Sequence, residues 1–240
     1  RVRIGLNLKD LPYELRPVDL VANGHHEASY RALNAQALVP TLEVDGRPLT
    51  QSLAILEWLD EVSPEPALLP HTAYERAIVR GMAEIIACDI HPLNNLRVLR
   101  QLTALEIGET DRNAWVARWI SDGFRALEPM VARHSGGFAF GDAPGLVDCL
   151  LVPQVFNAGR FNVDLSPFPA IQAAATRAAK HPAIAAVHYP MLESHPEHAR
   201  ARDWFGGCGS WMMAFELRDP EHLVPVINRL RLPLKATGLA

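Results

Sequence analysis

The hydrophobic periods along the chain predict a mixed α/β domain over residues 1–62, an all-α domain over 74–186 and a β-α-β-like tail over 187–240. Three stretches carry that reading. "LVPTLEVDGRPLT" at 38–50 sets two short strand-like runs around Asp45 and Gly46, a strong two-residue hairpin signal. Apolar residues then recur at helical spacing from 74 to about 181. Beyond 187, "GSWMMAFELRD" returns to strand chemistry and no longer follows the helical pattern.

Taken in order, "RVRIGLNLKDL" reads as a helix, with Val2, Ile4, Leu6 and Leu8 among polar positions and Leu11 just before Pro12. "YELRPVDL" alternates like a strand, and "HHEASYRALN" reads as a short helix. After the hairpin, Ile55, Trp58, Leu59 and Val62 mark one face of a further helix. The order α-β-α-β-β-α is that of a thioredoxin-like domain without its first strand. "SPEPALLPHT" at 63–72 is proline-rich and reads as a linker, which extends to 73.

In the helical domain, Ile78, Val79, Met82, Ile85 and Ile86 form one stripe, interrupted at Pro92 and resumed by Leu93, Leu96 and Leu99. Trp115, Trp119, Ile120, Phe124 and Leu127 form a second. "GLVDCLLVPQVFNAGR" is mostly apolar and therefore central, and "IQAAATRAAK" is an alanine-rich fourth helix. In the tail, "PEHLVPVINRL" reads as a helix and "RLPLKATGL" as a returning strand.

Composition narrows the function classes. A chain of 240 residues with 49% hydrophobic and 21% charged residues is ordinary for a globular protein of one large or two small domains. The net charge of −4 gives neither the basic footprint of a nucleic-acid binder nor a polybasic membrane patch. Cys88, Cys149 and Cys208 make no disulfide framework and no metal pattern, which fits a reducing, cytoplasmic compartment. No apolar run is long enough to span a membrane and no signal peptide is visible.

Four motifs in order and spacing resemble the zeta class of glutathione transferases, the maleylacetoacetate and maleylpyruvate isomerases. "RVRIGLNLKDLPYE" resembles the class's N-terminal helix, and "ALNAQALVPTLEVDGRPLTQSLAILEWLDE" its glutathione-binding edge. "CDIHPLNNLRVL" resembles its kinked helix, and "GDAPGLVDCLLVPQVFNAGRFNVDLSPFP" its core helix and following loop. Together they cover roughly residues 1–182.

The resemblance implies a glutathione-dependent enzyme that turns a cis double bond trans, with a small acidic substrate and a homodimeric assembly. It implies that Pro40 is cis and that the backbone of Val39 pairs with the cysteinyl part of glutathione as an added strand would. It implies that Gln51 and Ser52, at a helix N-terminus, receive the γ-glutamyl carboxylate. Read without it, Val39 and Pro40 shape a hairpin and Ser52 caps a helix. Arg1, His25, His91, Asn95, Leu96 and Arg97 match further glutathione-facing positions, and Arg160 matches an arginine facing the substrate. Read without it, Pro92 accounts for a bend, while His25 and Arg160 are solvated surface groups.

The sequence departs from the class in two places. The Ser-Ser-Cys-Ser-x-Arg motif that activates the glutathione thiol would end at Arg1, so no thiol-activating catalytic residue is expected within the chain. The hydroxyl N-cap of the core helix is replaced by Gly145, which leaves Asp148 without its capping-box partner and costs roughly a few tenths of a kcal/mol. General glutathione conjugation or dehalogenation, and a non-catalytic glutathione-binding relic, fit the same motifs.

The tail resembles the C-terminal domain of pyridoxal-phosphate enzymes of the cystathionine γ-synthase and methionine γ-lyase type. With only Lys9, Lys180 and Lys235 and no cofactor domain, it cannot carry that chemistry, and a fusion near 184–189 is the expected origin. Its apolar segment, with Trp211, Met212, Met213 and Phe215, is expected to lie apart from the transferase fold.

Overall fold

The computed structural model describes residues 1–20 and 22–185, together with the backbone of 230–231. It divides into two compact units, one built on Val2–Leu59 with residues 230–231, the other on Arg1 and Asp60–Ile184.

The first unit opens with helix α1 (Val2–Leu8), buried nearly all round because Arg3 and Gly5 are covered along with Val2, Ile4, Leu6 and Leu8. Residues 11–19 are irregular rather than the strand that their alternation predicts. Alternation alone does not make a strand, and Pro17 has no N–H to give a ladder. A 3₁₀ turn (Gly24–His26) and helix α2 (Ala28–Leu33) follow.

Strands β1 (Thr41–Val44) and β2 (Arg47–Thr50) pair antiparallel, closing at Val44 opposite Arg47. Asp45 and Gly46 both take positive φ, 52° and 75°, as the tight mirror-image turn of a hairpin requires. The other edge of β1 carries β3 (Leu230–Arg231), antiparallel to Glu43 and Val44. The tail thus contributes at least this strand to the sheet instead of lying wholly apart from the transferase fold. It sits at the junction where the expected helix ends with Leu230 and the expected returning strand begins with Arg231. The tail's other expected elements, including Trp211, Met212, Met213 and Phe215, lie outside the described residues.

Helix α3 (Ser52–Val62) buries Ile55, Leu56 and Leu59, whereas Val62 is exposed. The inward face is therefore turned toward Leu56 and away from Val62 relative to the sequence stripe.

In the second unit the proline-rich stretch is anchored rather than loose. Leu68 and Leu69 are buried, and the Leu68 amide donates to Asp60 Oδ1 at 2.7 Å. Thr72 then caps helix α4 (Ala73–Glu84), accepting from the Glu75 amide at 3.2 Å and donating to the Glu75 carboxylate at 2.8 Å. This is a side-chain N-cap, tied also to the glutamate three residues on, inside what reads as linker. The chain runs on through a π-helical turn (Ile85–Ile90) and a 3₁₀ turn (His91–Asn94) into helix α5 (Leu96–Ala104). Helices α6 (Glu109–His134), α7 (Leu146–Arg160), α8 (Pro169–Ala179) and α9 (Pro182–Ala185) complete the unit.

The core is formed by Val79, Met82, Ile86 and Ile90, the α6 face of Val116, Ile120, Phe124, Leu127 and Val131, and α7, buried on most sides as expected. No described helix is long and apolar enough to cross a membrane.

Candidate glutathione site

In the α/β unit the Val39-Pro40 peptide is cis. Val39 is 46% exposed, so the turn presents backbone to solvent at the entry to β1. Tyr30 of α2 and Asn34, which caps the end of that helix, hold the turn. Tyr30 Oη donates to the Leu38 carbonyl at 2.6 Å, and Asn34 Nδ2 donates to the same oxygen at 2.7 Å. Both also reach Thr41 Oγ1 just past the proline, at 3.0 and 3.3 Å. The Leu38 carbonyl is thus fully engaged and the turn is fixed on both sides of Val39.

At the far end of the hairpin Gln51 sits at φ 68°, a left-handed conformation that a residue with a β carbon adopts at a cost. Its carbonyl accepts from the Ile55 amide at 3.0 Å, which makes Gln51 the capping position of α3 and Ser52 the first helical residue. Ser52 is therefore not the cap that one reading of the sequence makes it. The N–H groups of Ser52, Leu53 and Ala54 are those a helix start leaves without an intrahelical acceptor, and they carry the positive end of the helix dipole. The Gln51 side chain is exposed, with its Nε2 donating to Gln36 Oε1 at 2.7 Å. An exposed turn and an open helix start suit a peptide bearing a terminal carboxylate. The unit fits glutathione.

His25 does not fit the reading made without the resemblance. It is buried, not solvated, in the 3₁₀ turn, its ring 4.1 Å from that of His26.

In the helical unit, His91 begins the 3₁₀ turn, and its amide donates to the Ile86 carbonyl five residues back. Burial, then the nearby positive charge of Arg1, pushes the His91 imidazole down to about 3. It is a neutral ring at any physiological pH. Arg1 is itself pulled down to about 10 by burial, partly offset by attraction to Cys88. Asn95 is the N-cap of α5, with its Oδ1 accepting from the Arg97 amide at 3.2 Å. Leu96 is half-buried and Arg97 is exposed. Arg160 is the last residue of α7 rather than part of the loop after it, and its guanidinium carbon lies 6.0 Å from the centre of the Phe161 ring.

The pattern of the glutathione S-transferase N-terminal domain matches residues 1–62. A maleylpyruvate isomerase of Ralstonia sp is 49% identical over 176 residues, which span 72% of this chain and 83% of that protein. The holo structure of a maleylpyruvate isomerase, a bacterial glutathione transferase of the zeta class, matches at 46% identity and a TM-score of 0.74, covering 77% of this chain and 88% of that one. The chain belongs to the zeta-class glutathione transferases. Another member of this class, a maleylacetoacetate isomerase of Anaeromyxobacter dehalogenans 2CP-1 solved with glutathione in its active site, is 44% identical with a TM-score of 0.70. That match spans 77% of this chain and 87% of the other.

In this zeta-class transferase the sequence reading overlooked Tyr30 and Asn34. Their signal was present: two hydrogen-bonding side chains four residues apart lie on one face of the helix that leads into "LVP".

Proposed function

We propose that this protein is a glutathione-dependent cis-trans isomerase acting on maleylacetoacetate or maleylpyruvate. The observation that carries the proposal is the pairing, in one unit, of the exposed Val39 backbone beside cis-Pro40 with the open start of α3 at Gln51 and Ser52.

Glutathione, when bound, supplies the thiol nucleophile that makes isomerisation at an activated double bond possible. The chain's residues bind and orient. Val39 offers its backbone to the cysteinyl part, Pro40 shapes that edge, and Tyr30 and Asn34 keep it rigid. Gln51, Ser52 and the α3 dipole take the γ-glutamyl carboxylate, and buried His25 lines the same unit. In the helical unit His91, Asn95, Leu96 and Arg97 are assigned to glutathione, with His91 acting as a neutral hydrogen-bonding ring rather than a proton donor. Arg160 is assigned to the substrate carboxylate and the negative charge that develops beside it, with Arg1 as a second cation. The same reading carries a homodimer and a cytoplasmic location.

The test is turnover of maleylacetoacetate and of maleylpyruvate with and without glutathione, alongside glutathione titration of Ser52→Ala by calorimetry. Isomerisation only in the presence of glutathione, with binding weakened by roughly 1–2 kcal/mol in the variant, is the expected result. Glutathione binding that the substitution leaves unchanged overturns the assignment of α3.

A further inference from the structure

We infer that one face of α6, marked by Trp115, Trp119 and Gly123, sets the position of the irregular Ile85–Asn94 segment and so tunes glutathione affinity without touching the ligand. The inference rests on the assignment of His91, Asn95, Leu96 and Arg97 to glutathione.

The three residues are spaced four apart, so they line a single stripe along α6. At one end, Trp115 Nε1 donates to the Leu93 carbonyl at 2.9 Å, inside the 3₁₀ turn. At the other, Gly123 makes room for the last residue of the π turn. A β carbon built on Gly123 would lie 2.3 Å from Ile90 Cγ1 and 2.4 Å from its Cδ1. Ile90 is fully buried and branched at its β carbon, so it cannot swing clear as a long flexible side chain could. Trp119 stands between the two, its ring edge-on to that of Trp115 with centroids 5.6 Å apart.

The segment needs such a hold. Its backbone leaves the regular α pattern twice in ten residues, first to π and then to 3₁₀. Asn94 is buried, yet its side-chain nitrogen and oxygen have no hydrogen-bond partner among the described residues, so it supplies no anchor. Two of the contacts that hold this segment come from α6. Trp115 grips Leu93, and Gly123 lets Ile90 seat, immediately on either side of His91 and Pro92. Trp115 and Gly123 are therefore positioning residues: they act through the segment.

The test uses the full chain and reads glutathione affinity by calorimetry, KM and kcat separately, and melting temperature. Trp115→Phe keeps an aromatic ring beside Trp119 and removes the donor together with one ring of the indole, and it should raise the glutathione Kd and KM about fivefold with kcat nearly unchanged. Gly123→Ala should raise both by about tenfold or more, since Ile90 and the turn must shift. Adding Ile90→Ala to Gly123→Ala removes the colliding atoms and should restore most of the affinity. If Gly123→Ala does not fold, Trp115→Phe and the double variant decide.

His91→Ala and Asn95→Ala separate this inference from the reading beneath it. Weaker glutathione binding in those two, with Kd within twofold of the parent in Trp115→Phe and in the folded Gly123 variants, overturns the positioning role alone. Unchanged binding in His91→Ala and Asn95→Ala overturns the assignment on which it rests, and the inference with it.

Discussion

The carbonyl of Leu68 lies where a side chain on Gly145 would have to go. It accepts from the Leu146 amide at 2.8 Å, and a β carbon on Gly145 would lie 2.9 Å from the same oxygen. The glycine at the start of the core helix is a close-approach residue between α7 and the chain that precedes α4. Gly145→Ala should lower stability by about 1–3 kcal/mol, because backbone rather than a flexible side chain must give way. Denaturant unfolding measures it. A serine there, the cap that the family pattern suggests, should be worse than glycine for the same reason.

Asp148 retains half of the capping box. Its Oδ2 accepts from the Gly145 amide and its Oδ1 from the Ala139 amide, each at 3.0 Å. Asp148→Ala should cost roughly 2–3 kcal/mol at pH 7, since two N–H groups lose their acceptor. Burial, only partly opposed by those hydrogen bonds, raises the carboxyl from 3.8 to about 6. The folded protein therefore holds this proton more tightly than the unfolded chain. The stabilising contribution is complete below pH 3.8 and is lost as pH climbs through 6. Stability curves of the variant should lack that decline.

His91 has the opposite sign. Its imidazole falls from 6.5 unfolded to about 3 folded, so below pH 6.5 the unfolded chain takes up a proton that the folded protein refuses. Its contribution is complete above pH 6.5 and drains away as pH drops toward 3. In His91→Gln the loss of melting temperature between pH 7 and 5 should be shallower. The C2 proton resonance of His91 should not move over that range.

Arg160→Ala should lower kcat/KM for the acidic substrate by about tenfold or more while shifting the melting temperature by no more than a few degrees. The expectation follows from its place at the C-terminal end of α7, where its aromatic contact is a loose 6.0 Å. A sharp stability loss with unchanged kinetics in the folded fraction would make it a structural residue.

What the sequence shows and hides follows the range of the forces involved. The hairpin was legible because two adjacent residues, Asp45 and Gly46, dictate its turn. The α7 core helix was legible because it is apolar on most sides. The strand expected around Glu14 and Arg16 was not there, since pairing depends on a partner that local alternation cannot supply. The burial of His25 and the seating of Ile90 against Gly123 were equally hidden, because each depends on residues distant in sequence. Glu128 makes the same point. Its carboxylate takes the Ala170 and Ile171 amides at the start of α8, 42 and 43 residues further on. In the site, the motif positions were legible by resemblance, while the Tyr30 and Asn34 scaffold behind Val39 left only its four-residue spacing in the sequence, because its hydrogen bonds depend on where the turn places the Leu38 carbonyl.

The π turn at Ile85–Ile90 is, in counting terms, an α-helix with one residue too many. Rewinding the same six residues as regular α-helix, with none removed, would carry the chain beyond them one residue further along the helix. Everything downstream would then rotate by about 100° about the helix axis and advance by about 1.5 Å. Such a change would swing the imidazole of His91 and the start of α5 to a different side of the helix with no change in the amino-acid sequence. The direction in which this protein presents those groups is therefore written in the length of one turn as much as in the identity of its side chains.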